Sequence, residues 1–189
     1  GIDDDFHGWD WRYYTEKVRK ARYDFDEEAL RPYFPVEAVR DGAFQLANRL
    51  FGLTFERRAD LPAWHPDQQA FEVRDRDGSH LAVLYMDFFA RESKRGGAWM
   101  NSLRQQSKID GDVTPIVTTN FNFPAPTRTS PSLLSLSEAE TLFHEFGHAL
   151  HGMFSDVKYP YFFMNVPRDF VEFPSQVNEM WADWPSILA

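Results

Sequence analysis

Apolar residues recur at helical spacing in three parts of the chain. The first stripe consists of Trp11, Tyr14, Val18 and Ala21, and Asp10 stands before it as a helix cap. We expect the aromatic cluster of this helix, over 9–14, to belong to the core. A second stripe lies between Pro35, which favours a helix start, and Gly52, which favours a helix end. Its members are Val36, Val39, Ala43, Leu46, Ala47 and Leu50.

The pattern changes to that of strands in the middle of the chain. Segments 53–56, 71–73, 81–89 and 115–123 are each typical of a strand. Asp77 and Gly78 separate the second and third segments, which predicts a hairpin with a two-residue primed turn. Helices, then a small antiparallel sheet, then helices predict a predominantly helical α+β fold.

Composition excludes several classes of protein. The 189 residues are 43% hydrophobic and 26% charged, which argues against disorder. The chain lacks cysteine, so thiol catalysis and cysteine-based metal sites are excluded, and histidines and carboxylates would have to hold any metal. A net charge of -9 without a basic stripe argues against a nucleic-acid partner. No apolar run approaches the roughly 20 residues that span a bilayer, so we expect no membrane partner.

The two ends predict that residues 1–189 are part of a longer protein. The chain opens at Gly1 without an initiator methionine and closes at Ala189 without a polar tail. It shows no secretory signal, and together with the lack of cysteine this is compatible with a cytoplasmic location. By its length the chain is one domain.

The third helical stripe carries the candidate chemistry. Ser137 and Glu140 form an S-x-x-E capping box, which predicts a helix that runs through Phe154. One side of this helix is apolar, with Leu142, Phe146, Ala149 and Met153. The other side carries three histidines and one acid: His144, His148, His151 and Glu145.

Residues 144–148 read His-Glu-Phe-Gly-His, the H-E-x-x-H pattern. His144 and His148 differ by about 40° in direction and about 6 Å in height, so both imidazoles can reach one ion. Glu145 points about 100° away from His144, where it can touch a water molecule on that ion. The pattern also occurs by chance in helices that bind no metal. Gly147 in the helix interior costs about 1 kcal/mol relative to alanine, which suggests a close approach to the backbone there.

A catalytic zinc needs a third protein ligand. His151 is about 10.5 Å from His144 along the helix, so we expect it to be a packed or outer histidine. Glu172 is the better candidate, because a carboxylate in the first turn of a following helix can lean back onto the metal. The alternative is that Asp169 and Glu172 are only a capping pair. Pro174 limits how far upstream that helix can begin.

The sequence resembles the thimet-oligopeptidase family of zinc metallopeptidases, and within it the bacterial peptidyl-dipeptidases and oligopeptidases. The resemblance rests on 142–152, with the H-E-x-x-H motif, and on 168–176, which reads Arg-Asp-Phe-Val-Glu-Phe-Pro-Ser-Gln. Segments 9–14, 85–94 and 120–122 also look like family segments.

The resemblance implies that His144, His148 and Glu172 bind one zinc ion and that Glu145 activates water. It implies a zincin-like catalytic core from a mostly helical peptidase whose deep channel admits short peptides. It also suggests that the hairpin region 81–89 and the strand near Asn120 lie close to that channel.

Two departures from the family pattern bear on activity. Between His148 and Glu172 the chain has 23 residues, one fewer than is usual, and 162–165 stand where the family has a Ser-Gly-Thr-like stretch. Family members also have an N-terminal half and, later in the chain, a Gly-rich loop with histidine and tyrosine residues that bind substrate. Because loss of one oxyanion donor costs about 10²–10³ in rate, we expect this chain alone to bind zinc but to be weakly active or inactive.

Two alternatives stay open. The chain could be a non-catalytic helical module for structure or interaction, with no metal or only a structural metal. It could also be a zincin of another family, although the 168–176 block argues against this. The sequence leaves open the peptide specificity, the choice between dipeptide release and internal cleavage, and the oligomeric state.

Overall fold

The computed structural model describes residues 6–23 and 27–183. Its helices are α1 (Trp11–Tyr23), α2 (Val36–Phe51), α3 (Leu136–Met153) and α4 (Phe173–Glu179). Its strands are β1 (Thr54–Arg57), β2 (Gln69–Arg74), β3 (His80–Phe89), β4 (Trp99–Arg104) and β5 (Ile116–Phe123). Three 3₁₀ helices span Glu27–Tyr33, Pro160–Phe162 and Met180–Asp183. The fold is α+β, as predicted.

The five strands form one mixed sheet in the order β1-β2-β3-β5-β4. Neighbours pair antiparallel except β3 and β5, which are parallel. The prediction of a small antiparallel sheet was therefore wrong in two respects: β4 was missed, and one pair is parallel. Both errors have one cause, because β4 occupies the connection between β3 and β5 and returns the chain so that β5 runs in the direction of β3.

The predicted hairpin exists, but its turn differs from the predicted type. Asp75 accepts a hydrogen bond from the backbone N–H of Gly78, and its own N–H donates to Ser79. Gly78 has φ +84°, whereas no such value occurs at Asp77. Both primed types of two-residue turn need positive φ at the first central residue, here Asp77, so the loop is instead a turn closed by one left-handed glycine.

Two helices pack on the sheet and enclose the core. Helix α2 begins after Pro35 and ends at Gly52, as predicted, and Gly52 has φ +83° with its N–H bonded to the Asn48 carbonyl. Helix α3 crosses β5 and β4 and also contacts α2. Fully buried rings, among them Phe88, Phe121 and Phe146, fill the space between them. Within the described ranges, no helix combines the length and apolar character that crossing a membrane would require.

The expected burial of α1 was wrong. No residue of this helix is buried, and Trp9 and Trp11 are 78% and 63% exposed. The apolar spacing correctly predicted a helix, but an amphipathic stripe does not say which surface covers it. Among residues 6–23 and 27–183, no element covers the aromatic side of α1.

Helix α3 begins two residues earlier than predicted. Ser135, rather than Ser137, accepts from the Glu138 N–H, and the Glu138 carboxylate accepts from the Ser135 N–H. The sequence contains two overlapping S-x-x-E boxes, and tertiary contacts select the first. Glu138 pairs with Arg31 at 3.1 Å, and Leu134 just before the cap is fully buried.

Candidate metal centre

Helix α3 brings His144 and His148 together on one side, one turn apart. Their ring centroids are 5.0 Å apart and the ring planes are nearly perpendicular. Both side chains are partly buried, with 26% and 13% exposed. The opposite side of α3 is anchored in the core, where Leu142, Phe146, Ala149 and Met153 are fully buried. The buried face thus fixes the rotation of the helix and holds the two imidazoles towards one point.

Glu172 reaches that point from the turn before α4. Its Oε2 lies 3.2 Å from His144 Nε2 and 3.0 Å from His148 Nε2. One ligand atom from each of the three residues lies within 4.8 Å of the others. Atoms that bind one tetrahedral zinc at about 2.0–2.2 Å lie about 3.3–3.6 Å apart. The distances of 3.2 and 3.0 Å found here are close to this range, so two imidazole nitrogens and a carboxylate oxygen fit a zinc ion after a small adjustment.

Glu172 is not part of a capping pair. It occupies the N-cap position of α4, but its side chain makes no capping hydrogen bond. Instead its Oε2 accepts from the Ser175 hydroxyl at 2.9 Å. Burial would raise the pKa of Glu172, but this hydrogen bond and the two nearby histidines outweigh it and lower the pKa. The carboxylate is therefore ionised at neutral pH, which a metal ligand requires.

Gly147 explains how α4 comes so close to α3. A Cβ atom at this position would lie 2.8 Å from the Cα of Ser175 and 2.9 Å from the carbonyl oxygen of Pro174. The Asn178 side chain donates a 2.6 Å hydrogen bond to the Phe143 carbonyl across the same contact. The glycine allows the backbone of α4 to touch α3 beside the two histidines, as its place in the helix suggested.

Glu145 lies beside the three ligand atoms but outside their group. The residue is 7% exposed and lines a 460 Å³ cleft together with His144, His148 and Glu172. Burial raises the pKa of Glu145, and His144 opposes the shift. A buried carboxylate with a raised pKa is a stronger proton acceptor than an exposed one, which suits a general base.

Burial also favours the neutral state of His148. It lowers the pKa of His148, and the Glu172 carboxylate opposes the shift. A neutral imidazole is the form that binds a metal ion. His151, the third histidine of α3, lies outside the ligand group and lines a separate apolar groove with Phe154, Phe173 and Trp181 among others.

The strand missed by the sequence analysis lines the cleft. Ala98, Trp99 and Met100, at the start of β4, form one of its walls. The prediction placed 81–89 beside the channel, but β5 separates β3 from β4 in the sheet. Asn120 lies closer, since its side-chain amide donates to the Trp99 carbonyl at 3.4 Å.

The segment that departs from the family pattern also reaches the cleft. Met164, within 162–165, is one of the residues that line the cleft. It has φ +50°, the one non-glycine positive φ found in the described ranges. Backbone strain of this kind is held in place by its surroundings and is common near functional sites.

Glu179 is a residue near the histidines that the sequence analysis did not single out. Its Oε2 lies 3.0 Å from Nδ1 of His144. The signal was present in the spacing, because Glu179 follows Glu172 by seven positions, and residues seven positions apart on a helix lie on one face.

Comparison of the sequence with known proteins shows the family of the chain. The family model described as peptidase family M3 matches residues 1–189. The dipeptidyl carboxypeptidases of Salmonella typhimurium and Escherichia coli are 47% and 46% identical to the chain over 182 and 183 residues, or 95% and 96% of it. Oligopeptidase A of Escherichia coli is 40% identical over 190 residues, 98% of the chain.

The chain spans 27% of the length of the two dipeptidyl carboxypeptidases and 28% of oligopeptidase A. The resemblance inferred from the 142–152 and 168–176 blocks is confirmed by a match that covers the whole chain. This chain belongs to peptidase family M3.

Proposed function

We propose that this chain supplies the zinc-binding part of the active centre of a metallopeptidase that cleaves short peptides. His144, His148 and Glu172 hold one zinc ion, and Glu145 is the general base. The observation that carries the proposal is the convergence of two Nε2 atoms on one carboxylate oxygen, at 3.2 and 3.0 Å, beside a second, buried carboxylate, that of Glu145.

Each residue has a distinct part in the reaction. When bound, zinc polarises a peptide carbonyl and makes a water molecule more acidic. Glu145 accepts the proton of the attacking water and then donates it to the nitrogen of the leaving amine. Its burial in the cleft keeps bulk water from competing for that proton.

The open edge of the sheet favours an extended peptide as substrate. β4 is the last strand in the sheet order, and its first residues line the cleft. An extended peptide can hydrogen-bond to such an edge as an added strand, with its carbonyl directed at the metal. The names of the relatives, dipeptidyl carboxypeptidase and oligopeptidase, also indicate short peptides. A cytoplasmic location remains a prediction.

Zinc binding is the first test of the proposal. We expect the purified chain to bind one zinc ion per molecule and its melting temperature to rise when zinc is added, because a ligand of the native state stabilises it. A metal-free chain whose melting temperature is unchanged by zinc would contradict the proposal and favour the non-catalytic helical module.

The role of Glu145 needs an assay in a complete enzyme. In a chimera, residues 1–189 replace the matching segment of the Escherichia coli dipeptidyl carboxypeptidase, which is 46% identical. We expect Glu145→Gln to keep the zinc content and to lower kcat by about 10²–10⁴-fold, the usual contribution of a general base. Turnover of short peptides with free and amidated C-termini would show in the same assay whether dipeptides are released.

Glu56→Gln is the matched control, since Glu56 is an exposed residue of β1 outside the cleft. We expect this variant to keep the turnover of the parent chimera. If Glu145→Gln stays within a few-fold of the parent while zinc is bound, the role assigned to Glu145 is wrong.

A further inference from the structure

His144 lies between two carboxylates of one helical segment. Its Nε2 faces Glu172 Oε2 at 3.2 Å, and its Nδ1 faces Glu179 Oε2 at 3.0 Å. Glu172 and Glu179 bracket α4 and are seven residues apart, so they project from nearly the same side of it. Rotation of the ring would break its contact with Glu179 and turn Nε2 away from Glu172.

The place of Glu179 in its helix is not explained by helix stability. It is the last residue of α4, where the helix dipole disfavours a negative charge. Its side chain is 41% exposed and lines a 270 Å³ cleft with Ser137, Glu140, Thr141 and His144. In the part of the chain that the structure describes, the polar contact of this carboxylate is with His144.

We infer that Glu179 is a positioning residue, whose carboxylate accepts a hydrogen bond from Nδ1–H of His144 and leaves Nε2 free to bind the metal. This inference rests on the proposed function. A neutral imidazole carries one ring hydrogen, and the partner of one nitrogen decides where it lies. A carboxylate partner holds that hydrogen on Nδ1, orients the ring and makes Nε2 a better ligand.

The test is the affinity of the 189-residue chain for zinc, measured by competition with a chromophoric chelator. Glu179→Gln keeps the size of the side chain and removes its charge. We expect the zinc dissociation constant to rise about 10–100-fold, the usual effect of losing such an outer partner. The circular dichroism spectrum of the zinc-free chain should stay unchanged.

Asp183→Asn is the control for charge. Asp183 is exposed, ends the 3₁₀ helix that follows α4, and makes none of the described contacts with His144 or His148. We expect this variant to bind zinc as the parent does. If both variants weaken binding equally, the effect is that of general charge and the inference is wrong.

A second measurement needs no variant. In the ¹⁵N-labelled parent chain with zinc bound, we expect the ring hydrogen of His144 on Nδ1, in slow exchange with water. A ring hydrogen on Nε2 would overturn the inference.

If the parent chain takes up no zinc, the proposed function fails as well. If the parent binds zinc and Glu179→Gln binds it within threefold, the inference alone fails.

Discussion

The two histidines of α3 differ in what surrounds them, although the motif makes them equivalent. His148 is the more buried, and burial lowers its pKa. His144 is more exposed, and its two ring nitrogens lie 3.2 Å from Glu172 and 3.0 Å from Glu179. Burial therefore favours the neutral form of one candidate ligand, whereas contacts at the ring nitrogens orient the other candidate.

Glu172 joins the two histidines, so its replacement tests the ligand set most directly at the level of one residue. We expect Glu172→Gln to weaken zinc binding by more than Glu179→Gln does, that is, by more than about 10–100-fold, since it removes the charge of a proposed ligand. Competition with a chelator measures the change. Asp169→Asn, an exposed acid three residues earlier, should bind zinc normally. Equal affinities of parent and Glu172→Gln would exclude Glu172 as a ligand.

The contact between α3 and α4 assembles the site at the level of elements. α3 provides two candidate ligands, and the turn leading into α4 provides the third. Gly147 lies where the two helices touch, and the backbone of Pro174 and Ser175 comes within 3.0 Å of the place that a Cβ atom on Gly147 would occupy. The distance between the helices at this glycine therefore sets the distance between Glu172 and the histidines.

Gly147→Ala tests whether this close contact sets both the stability of the chain and the geometry of the metal centre. In an open helix the change would stabilise by about 1 kcal/mol. Here the added methyl group meets backbone atoms, and we expect a net destabilisation of about 1–3 kcal/mol together with weaker zinc binding. Denaturant unfolding and zinc titration measure the two changes.

Gly96→Ala is the control for Gly147→Ala, since nothing lies within 4 Å of a Cβ at Gly96. It should change neither the free energy of unfolding nor zinc binding appreciably. A stabilised Gly147→Ala chain with normal zinc affinity would show that the helices are not held by this contact.

The elements that sequence reasoning placed well are those whose own pattern determines them. Pro35 and Gly52 mark the ends of α2, and the apolar run of β3 marks a buried strand. β4 was missed because it is an edge strand without a buried residue, so pairing with β5 rather than its own pattern defines it. Likewise, two overlapping capping boxes are equivalent locally, and tertiary features, the contact of Glu138 with Arg31 and the burial of Leu134, distinguish them.

The site was partly predictable for the same reason. The spacing of His144 and His148 follows from helix geometry, whereas the approach of Glu172 depends on a turn between two helices. The seven-position spacing of Glu179 from Glu172 places both on one side of a helix, but it does not show which residue that side faces. The role of Glu179 becomes visible only once α4 lies against α3.

At the scale of the whole molecule, a buried ionic network ties the sheet to the cleft. Asp87 on β3 accepts from the Arg91 guanidinium at 2.7 and 2.6 Å and from Lys94 at 2.8 Å. Lys94 also donates to the carbonyls of Asp87 and Phe89. These bonds hold the start of the connection that leads to β4, and β4 forms a wall of the cleft.

The network makes stability depend on pH. Burial would raise the pKa of Asp87, but hydrogen bonds from Arg91 and Lys94 outweigh it and lower the pKa to about 2. Because the folded pKa is lower than the unfolded value, the stabilisation is present above about pH 4 and is lost as pH falls towards 2. We expect Asp87 to account for about 2 kcal/mol of the stability lost over this range.

Asp87→Asn tests this by denaturant unfolding at several pH values. At pH 7 we expect a loss of about 3 kcal/mol or more, because Lys94 stays buried without its partner. Between pH 5 and 2 the variant should lose less stability than the parent. Asp60→Asn, whose carboxylate pairs with Arg58 in solvent, should have a much smaller effect at pH 7. An unchanged pH dependence in Asp87→Asn would contradict the assignment.

The most direct test of the metal centre is anomalous X-ray scattering at the zinc edge from crystals of the chain grown with zinc. We expect one peak, at about 2.0–2.2 Å from Nε2 of His144, Nε2 of His148 and a carboxylate oxygen of Glu172. No peak among these three side chains, or a peak that Glu172 does not reach, would contradict the proposed metal centre.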